Sequence, residues 1–577
     1  MCGIVAIFQH ESAVTAQEVI DYLKKLEYRG YDSAGIALWA PDRPIKIFKS
    51  LGRIQNLQKI CETHSDTNTC AAIGHTRWAT HGLPSLQNTH PITCGKIAVV
   101  HNGMIENYRD LLATYNHKPQ SNTDTEAIAM LIEQYSEQPL REAVRNAMQH
   151  LRGRFAFCVL SEHEQALVAA CAGAPLVLGY AEKFGYMLAS DQIAFPEKIT
   201  HIMYLDHVSL VEITYEKITL WDKKGNLTQL DFMPFQQLND SSPTHDSYLL
   251  QEIFAQPDVI RRITLHHKKT DILQSLKKNH GILYLIGCGS SYYSALVVKY
   301  WLEAYGITVI AALASEFRYQ QISLRRQDIC ICISQSGETA DTLAVAEYAQ
   351  PLCHVIALVN VEQSTISRIA HEVFCVHAGR ELSVASTKAF TAQICTLVCI
   401  LLGDQIDAEL VSRKIHSMLQ QSEQIQLCAE QLLLKTPIIY VTRGILYPIA
   451  CEGVLKLQEL SYKPALAFAA GEIKHGPLAL VDSNTAIIFL LNSTDSTYTK
   501  ALSNLEEILS RGARVWLLSD IPYLHPQVTH VLLPACSYFE APLVHVIAMQ
   551  LLAYYAAKSL GHEIDHPRNI AKSVTVE

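Results

Sequence analysis

The sequence predicts an α+β domain with mainly antiparallel sheets, followed by two doubly wound α/β units. Three observations carry this prediction. Short β-type runs crowd roughly the first 230 residues, with amphipathic stretches between them; after a polar break the rhythm becomes strand, glycine or serine turn, helix; and that rhythm returns near the C-terminus. Grouped strands flanked by helices favour layered α+β packing, whereas regular strand–turn–helix alternation favours parallel sheets.

The first part offers strands at Gly3–Phe8, Ser33–Trp39, Ile45–Phe48, Ile97–Val100, Phe155–Leu160 and Met203–Thr214. Helices are expected at Ala16–Leu26, Thr125–Tyr135 and Leu140–Leu151, which gives a first domain over 1–235. The segment Gln236–His245 is polar and contains a proline, so 236–248 reads as a linker. Beyond it, Ile282–Ile286 runs into Gly287-Cys288-Gly289-Ser290-Ser291, Asp328–Ile333 runs into Ser334–Thr339, and a third strand follows at His354–Asn360. The second round has Ile438–Thr442 before Arg443-Gly444, Ala486–Leu491 before Asn492-Ser493, and then Arg514–Ser519. About 47 residues separate the first two turns in each round, which points to an internal duplication into units 249–425 and 426–567 with a tail at 568–577.

Composition excludes several classes of function. Of 577 residues, 49% are apolar and 18% charged, the balance of a well-buried globular chain, and the length suggests three to four domains. The formal charge is −9 with no dense Lys/Arg run, so no nucleic-acid partner is expected. The longest apolar stretch, around Ile394–Gly403, is well short of the ~18 residues of a membrane span. No basic, then apolar, leader opens the chain, so a cytoplasmic enzyme is expected. Sixteen cysteines form no CxxC pair and 25 histidines no HExxH pair, so reduced thiols and neither metal nor organic cofactor are expected.

Chemistry is concentrated in a few segments. Trimming of Met1 would leave Cys2 with a free α-amine, one residue then supplying nucleophile and base. The run His75-Thr76-Arg77-Trp78-Ala79-Thr80-His81-Gly82 sets a fixed cation among hydroxyl donors, suited to a carboxylate, although a solvated loop would look the same. His101-Asn102-Gly103 offers an amide and a glycine N–H to a developing oxyanion, or else an ordinary Asn-Gly turn. Asp124 opens a helix and suits a substrate ammonium, while Thr123 and Glu126 have capping-box spacing.

In this order, Cys2-Gly3-Ile4, Tyr28–Gly35, His75–Gly82, His101–Gly103 and Thr123–Glu126 resemble the amino-terminal-nucleophile glutamine amidotransferases. The resemblance implies a four-layer αββα domain in which Cys2 attacks the glutamine amide. Asn102 and Gly103 then form the oxyanion hole, and Arg77, Trp78, Thr80, His81, Gly103 and Asp124 hold the substrate.

In the second part, Ser334-Gln335-Ser336-Gly337-Glu338-Thr339 places hydroxyls at a helix N-terminus, with Ser290 and Ser291 in the preceding turn, as an anion site requires. No GxxxxGK[ST] segment occurs, so this is not a nucleotide P-loop. Glu452, Lys456 and Glu459 share one helical face, a spacing that surface ion pairs would also give. These segments, with Cys288–Ser291, Val384-Ala385-Ser386-Thr387-Lys388, Lys474-His475-Gly476-Pro477 and the tail, resemble the sugar isomerase (SIS) halves of the isomerising glutamine–fructose-6-phosphate aminotransferases.

That resemblance implies L-glutamine and D-fructose 6-phosphate as substrates. Sugar-phosphate contacts would come from Cys288, Gly289, Ser290, Ser291, Ser334, Gln335, Ser336, Thr339, Val384, Ala385, Ser386, Lys456 and Glu459. It implies Glu459 as acid/base, Lys572 as Schiff-base former, and His475 as the ring-opening residue supplied by a second subunit, hence a homodimer. It further implies an ammonia passage gated by Trp78 with Ala571 and Val574 in its wall. Cys171, Gln251, Ser290 and Leu466 depart from the family pattern. A different nitrogen acceptor is disfavoured by the lack of a pyrophosphate or adenylating loop, and a sensor without turnover by the two complete sets of reactive groups.

Overall fold

The computed structural model describes all residues except 1, 10–12, 42, 63–68, 206–207, 238–242, 321 and 576–577, and except the side chains of 208–209. The chain divides into two compact units, one of Met1–Ser241 with Ser573–Glu577, the other of Ser242–Lys572.

The first unit holds two antiparallel sheets. In the eight-stranded sheet, Gly3–Phe8 lies between Gly185–Ala189 and Ala71–Arg77, and the latter also pairs with Ser33–Trp39. In the seven-stranded sheet, Ile97–Ile105 pairs along its whole length with Gly153–Ser161. Alternation decides which side each residue serves. Ile4, Ala6 and Phe8 meet Val100, Leu160 and Leu167 between the sheets, while Val5 and Ile7 face Val19, Leu23 and Leu57 on helices Ala16–Lys24 and Ile54–Glu62. On the other side, Val99, Phe157 and Val168 pack under Thr125–Gln134 and Leu140–His150. The layers are therefore helix, sheet, sheet, helix, as the resemblance implied.

The second unit holds two five-stranded parallel sheets of identical order. The first runs Val309–Leu313, Leu283–Gly287, Ile329–Ser334, His354–Val359, Glu372–Cys375. The second runs Ala465–Ala469, Ile438–Thr442, Ala486–Leu490, Arg514–Ser519, Val528–Leu532. In each, the chain reverses winding between its first and third strands, the switch point where open α/β sheets place ligands. The two copies share one core, in which Trp301, Phe390, Ile449 and Met549 are fully buried. Among the described residues no helix is long and apolar enough to cross a membrane.

Several elements differ from the sequence expectation. Met203–Thr214 is two strands, His201–Tyr204 and Val208–Thr214, in different sheets. Ala71–Arg77 is an interior strand, although its Ala-Ala-Ile-Gly-His-Thr-Arg sequence has few β-branched residues; pairing on both edges overrides that propensity. The expected linker 236–248 lies partly outside the described residues, and its last residue begins helix Tyr248–Phe254, capped by the Ser247 side chain accepting from Leu250 N–H. The expected boundary at 425/426 falls inside helix Ser422–Leu432.

Candidate active sites

In the first unit the strand Gly3–Phe8 delivers Cys2 to the end of Ala71–Arg77, with Gly3 opposite Thr76. A Cβ on Gly3 would lie 2.6 Å from Thr76 Oγ1 and 2.7 Å from Leu26 Cβ, so the residue after the cysteine has room only for glycine. The Trp78 N–H donates to Cys2 Sγ at 3.2 Å, a bond that favours the thiolate, whereas burial pushes the Cys2 thiol up. Asn102 donates from Nδ2 to the Cys2 carbonyl at 2.9 Å. The Asn-Gly pair is no turn: both residues lie in the strand Ile97–Ile105, where Gly103 has φ +122° and a Cβ would meet the Arg154 carbonyl at 2.1 Å.

Arg77 is not on a solvated loop. Its guanidinium is buried; Nη2 donates to the His81 and Gly82 carbonyls, while Nη1 is buried without a partner. A buried guanidinium N–H without a partner costs free energy, and an anionic group is the chemistry that would satisfy it. Asp124 precedes helix Thr125–Gln134 and accepts from Ile105 N–H through Oδ2 at 2.8 Å, leaving Oδ1 4.0 Å from His101 Nδ1. The capping box is absent: Thr123 Oγ1 bonds Ser121, and Glu126 accepts from the Gln120 and Ser121 N–H groups. Trp78 meets Tyr31 edge-on at 5.8 Å, Thr80 is exposed, and His81 packs on Tyr108 at 5.5 Å. Met1 lies outside the described residues.

Sequence reasoning gave no role to the buried histidines behind Cys2. His75, His90 and His101 are almost wholly buried and linked through Thr125. Burial pulls His75 down to about 3 and lowers His90 and His101 as well. His75 and His101 lay within motifs already singled out, but nothing in the sequence marks His90.

In the second unit, the first copy's switch point is formed by two turns. Gly289, at φ +54°, ends the turn after Leu283–Gly287 and leads into helix Ser290–Ala304, which has no side-chain cap. After Ile329–Ser334, the Ser334 hydroxyl takes Gly337 N–H at 3.0 Å and bonds Thr339 Oγ1 at 2.9 Å, and Ser336 takes Glu338 N–H at 3.1 Å. Gly337 has φ +67°, and a Cβ there would fall 1.9 Å from Ser364 Oγ, so this tight loop also requires glycine. Gln335 offers its carbonyl to Asn360 N–H. Ser291 is turned inward onto Gln393, and Cys288 lies 4.0 Å from Thr342 Oγ1.

The Glu452–Lys456–Glu459 face is buried, not a surface ion-pair row. Lys456 Nζ sits 2.6 Å from Glu459 and 3.5 Å from Glu452, with side-chain exposures of 1%, 20% and 0% respectively. Ser290 of the first copy donates to Glu452 Oε1 at 3.0 Å, so the group lies on the seam between copies. Burial raises Glu452 to about 7, against the pull of Lys456, and the two carboxylates push Lys456 up.

Lys572 reaches Glu381 Oε2 at 2.5 Å, and the same carboxylate takes Ser386 Oγ, Thr387 N–H and Ala389 N–H. Just before the tail, the Asp565 carbonyl accepts Val384 N–H, in a loop where Ala385 is buried. Glu381 and its buried neighbour Glu252, which burial raises to about 8, carried no sequence signal. His475 is exposed on the turn Glu472–His475, and among the described residues no hydrogen bond or ion pair joins it to the Glu452–Lys456–Glu459 group. Of the departures from the family pattern, Cys171 donates to the Leu205 carbonyl, Gln251 accepts from Thr244 N–H, and Leu466 is a 43%-exposed strand residue.

Comparison with known proteins agrees with the two-part organisation of the chain. The profile of the SIS domain matches residues 275–402 and 432–522, and that of a glutamine amidotransferase domain matches 75–197. The glutamine–fructose-6-phosphate aminotransferase [isomerizing] of Brucella suis biovar 1 is 38% identical over 616 aligned residues, and its counterpart in Escherichia coli K12 is 36% identical over 617; each alignment covers both chains completely. Among solved structures, the C-terminal domain of the Francisella tularensis glucosamine-fructose-6-phosphate aminotransferase covers 57% of this chain and all of that one, at 31% identity and TM-score 0.53. An Escherichia coli tagatose-6-phosphate ketose/aldose isomerase, at 19% identity and TM-score 0.51, shares the fold over 57% of this chain and 98% of its own. With both halves matched in order and along their full length, the chain belongs to the enzyme family of isomerising glutamine–fructose-6-phosphate aminotransferases.

Proposed function

We propose that this enzyme transfers the amide nitrogen of L-glutamine to D-fructose 6-phosphate with ketose-to-aldose isomerisation, yielding D-glucosamine 6-phosphate and L-glutamate. The observation that carries the reading is the presence in one chain of two separate reactive groups. One is a cysteine beside an orphan guanidinium and an oriented amide; the other is a buried acid–lysine–acid face at the switch point of a parallel sheet.

In the first unit, Cys2 Sγ attacks the amide carbon while Arg77 Nη1 holds the α-carboxylate and Asp124 the α-ammonium, with Thr80 and His81 at the rim. The second N–H of Asn102 Nδ2 and the Gly103 N–H take the developing oxyanion. Collapse releases ammonia and leaves a thioester, which water converts to glutamate. A passage gated by Trp78, with Ala571 and Val574 in its wall, would deliver ammonia unprotonated; this step rests on the resemblance to the family.

In the second unit, the Ser334–Thr339 loop and the Ser290 turn hold the phosphate. Lys572, drawn from Glu381, condenses with the open-chain C2 carbonyl, and ammonia then displaces the lysine. Glu459, poised on Lys456, moves the proton between C1 and C2. His475, exposed on the turn Glu472–His475, would act on the sugar of a second subunit in a homodimer, as the family resemblance implies. A cytoplasmic location fits the substrates.

Incubation of the full chain with glutamine and fructose 6-phosphate should yield glucosamine 6-phosphate. Absence of that product with glutamine hydrolysis intact overturns the reading. Cys2→Ala should abolish glutamine use and leave sugar-phosphate isomerisation, and Lys572→Ala should do the reverse.

A further inference from the structure

The histidines behind Cys2 form one continuous series whose proton positions are fixed by its bonds. His75 Nε2 faces two oxygens, the His101 carbonyl at 2.9 Å and Asn102 Oδ1 at 3.2 Å. A carbonyl cannot donate, so Nε2 carries the proton and Nδ1 of the neutral ring is an acceptor. His90 Nδ1, 3.1 Å from His75 Nδ1, must therefore donate, which leaves His90 Nε2 to accept from the Thr125 hydroxyl at 2.7 Å. The Thr125 oxygen then accepts from His101 Nδ1–H at 2.9 Å, and the series ends at His101 Nε2, a buried atom without a partner. Every ring is neutral, in keeping with burial lowering all three histidines.

The other end of the series is the Asn102 amide. With His75 Nε2–H directed at Oδ1, the NH2 group points toward Cys2, where one N–H already meets the Cys2 carbonyl at 2.9 Å. A flipped amide would set its NH2 against the His75 N–H and its oxygen against the Cys2 carbonyl, two repulsions in a buried site. A histidine tautomer thus selects the amide orientation. Thr125, bonded to the far side of His90, directly follows Asp124, whose carboxylate accepts Ile105 N–H.

We propose that His75 is the positioning residue of the Asn102 oxyanion donor, and that Thr125 and His90 hold His75 in the tautomer this task requires. The proposal rests on the reading of Asn102 as an oxyanion donor. Glutamine hydrolysis by the full chain tests it, using Asn102→Ala, Thr125→Val, His75→Gln, His75→Leu and the Asn102→Ala/Thr125→Val pair.

Loss of one oxyanion donor costs about 10²–10³-fold in kcat, so Asn102→Ala should fall in that range. His75→Leu should match it. His75→Gln, which keeps an N–H for Asn102 Oδ1 and an oxygen for His90 Nδ1–H, should recover most of the loss. Thr125→Val should lower kcat on the order of tenfold, a fraction of that range, with the glutamine KM unchanged, and should lower it no further when Asn102 is already alanine. Iodoacetamide alkylation of Cys2, followed by mass spectrometry, should proceed alike in all variants and so report an intact thiol and fold.

If Thr125→Val is as damaging without Asn102 as with it, or acts on KM alone, the proposal is overturned while the amide-cleavage reading stands. An Asn102→Ala enzyme with unchanged kcat overturns the proposal together with the reading of Asn102 as an oxyanion donor. Should His75→Leu not fold, the Thr125→Val pair decides alone.

Discussion

The two parallel-sheet copies share strand order and a left-handed glycine after the first strand, Gly289 in one and Gly444 in the other, at φ +54° and +60°. Their switch points are nevertheless opposite in charge. In the first copy the turn after the third strand is lined by hydroxyls, and its one acidic side chain, Glu338, is turned away onto Thr365 N–H and Oγ1. In the second copy the matching turn is filled by carboxylates: Asp495 takes Thr497 N–H and Oγ1, and Asp520 takes Ser493 N–H and Oγ. Arg443, after the second copy's first strand, donates to Asn504 Oδ1. The proposed anion site in the first copy therefore has no like-charged counterpart to contend with, whereas carboxylates at the second turn would oppose an anion. The second copy instead carries reactive groups on the helix after its first strand, Tyr447–Ser461, which it lays against the first copy's Ser290. On the proposed reading, one copy supplies the binding turn and the other the catalytic helix.

The largest test of that division removes the catalytic helix's acid. Glu459→Gln keeps shape and a hydrogen-bond partner for Lys456 but cannot relay a proton. Fructose 6-phosphate isomerisation should fall by about 10³-fold, within the range for a general acid–base group, with glutamine hydrolysis unchanged. A loss of both activities in the folded variant would break the division. A smaller effect is expected from making the first turn resemble the second. Ser336→Asp can keep the bond to Glu338 N–H, because aspartate accepts such bonds in turns, yet it brings a charge to the anion position. The KM for fructose 6-phosphate should rise on the order of 30-fold, from a like-charge repulsion of about 2 kcal/mol, while kcat changes little. An unchanged KM would place the phosphate elsewhere.

How much of this was legible in the sequence follows from what each part depends on. The strand–turn–helix rhythm, Cys2, Arg77 and the Glu452–Glu459 spacing are local patterns, and they stand where the reading put them. Ala71–Arg77 is missing from the expected strands because its strand character comes from neighbours on both edges, which no window of sequence contains. Glu252 and Glu381 gather around Lys572 from far along the chain, so burial and a shared cation, not spacing, single them out. His90 is the sharpest omission: it follows no motif, and its role exists only once His75 and Thr125 converge on it. The Asn-Gly pair left an ordinary turn open as the alternative, and it sits instead in mid-strand, its glycine required by the Arg154 carbonyl.

The smallest effect concerns the seam itself. Glu452 is wholly buried beside Lys456, and its carboxyl is raised from the ordinary 4.5 to about 7, burial outweighing the lysine's attraction. A carboxyl raised on folding holds its proton more tightly in the native state than in the unfolded chain. Its contribution to stability is therefore fully present below about pH 4.5 and is lost as pH rises through about 7. Glu452→Gln keeps the bond to Ser290 and the volume but has no proton to lose. The wild-type enzyme should thus lose more thermal stability between pH 5 and pH 8 than Glu452→Gln does, by a difference on the order of 2 °C in Tm for a unit of this size. Differential scanning calorimetry of the two full chains at matched ionic strength measures it. A difference of the opposite sign would mean that the native state holds Glu452 as a carboxylate across this range, and that Lys456 is balanced by two ionised acids and not by one. The distinction bears on the comparison of the two copies, because a neutral Glu452 removes one negative charge from the helix where it meets Ser290 of the first copy.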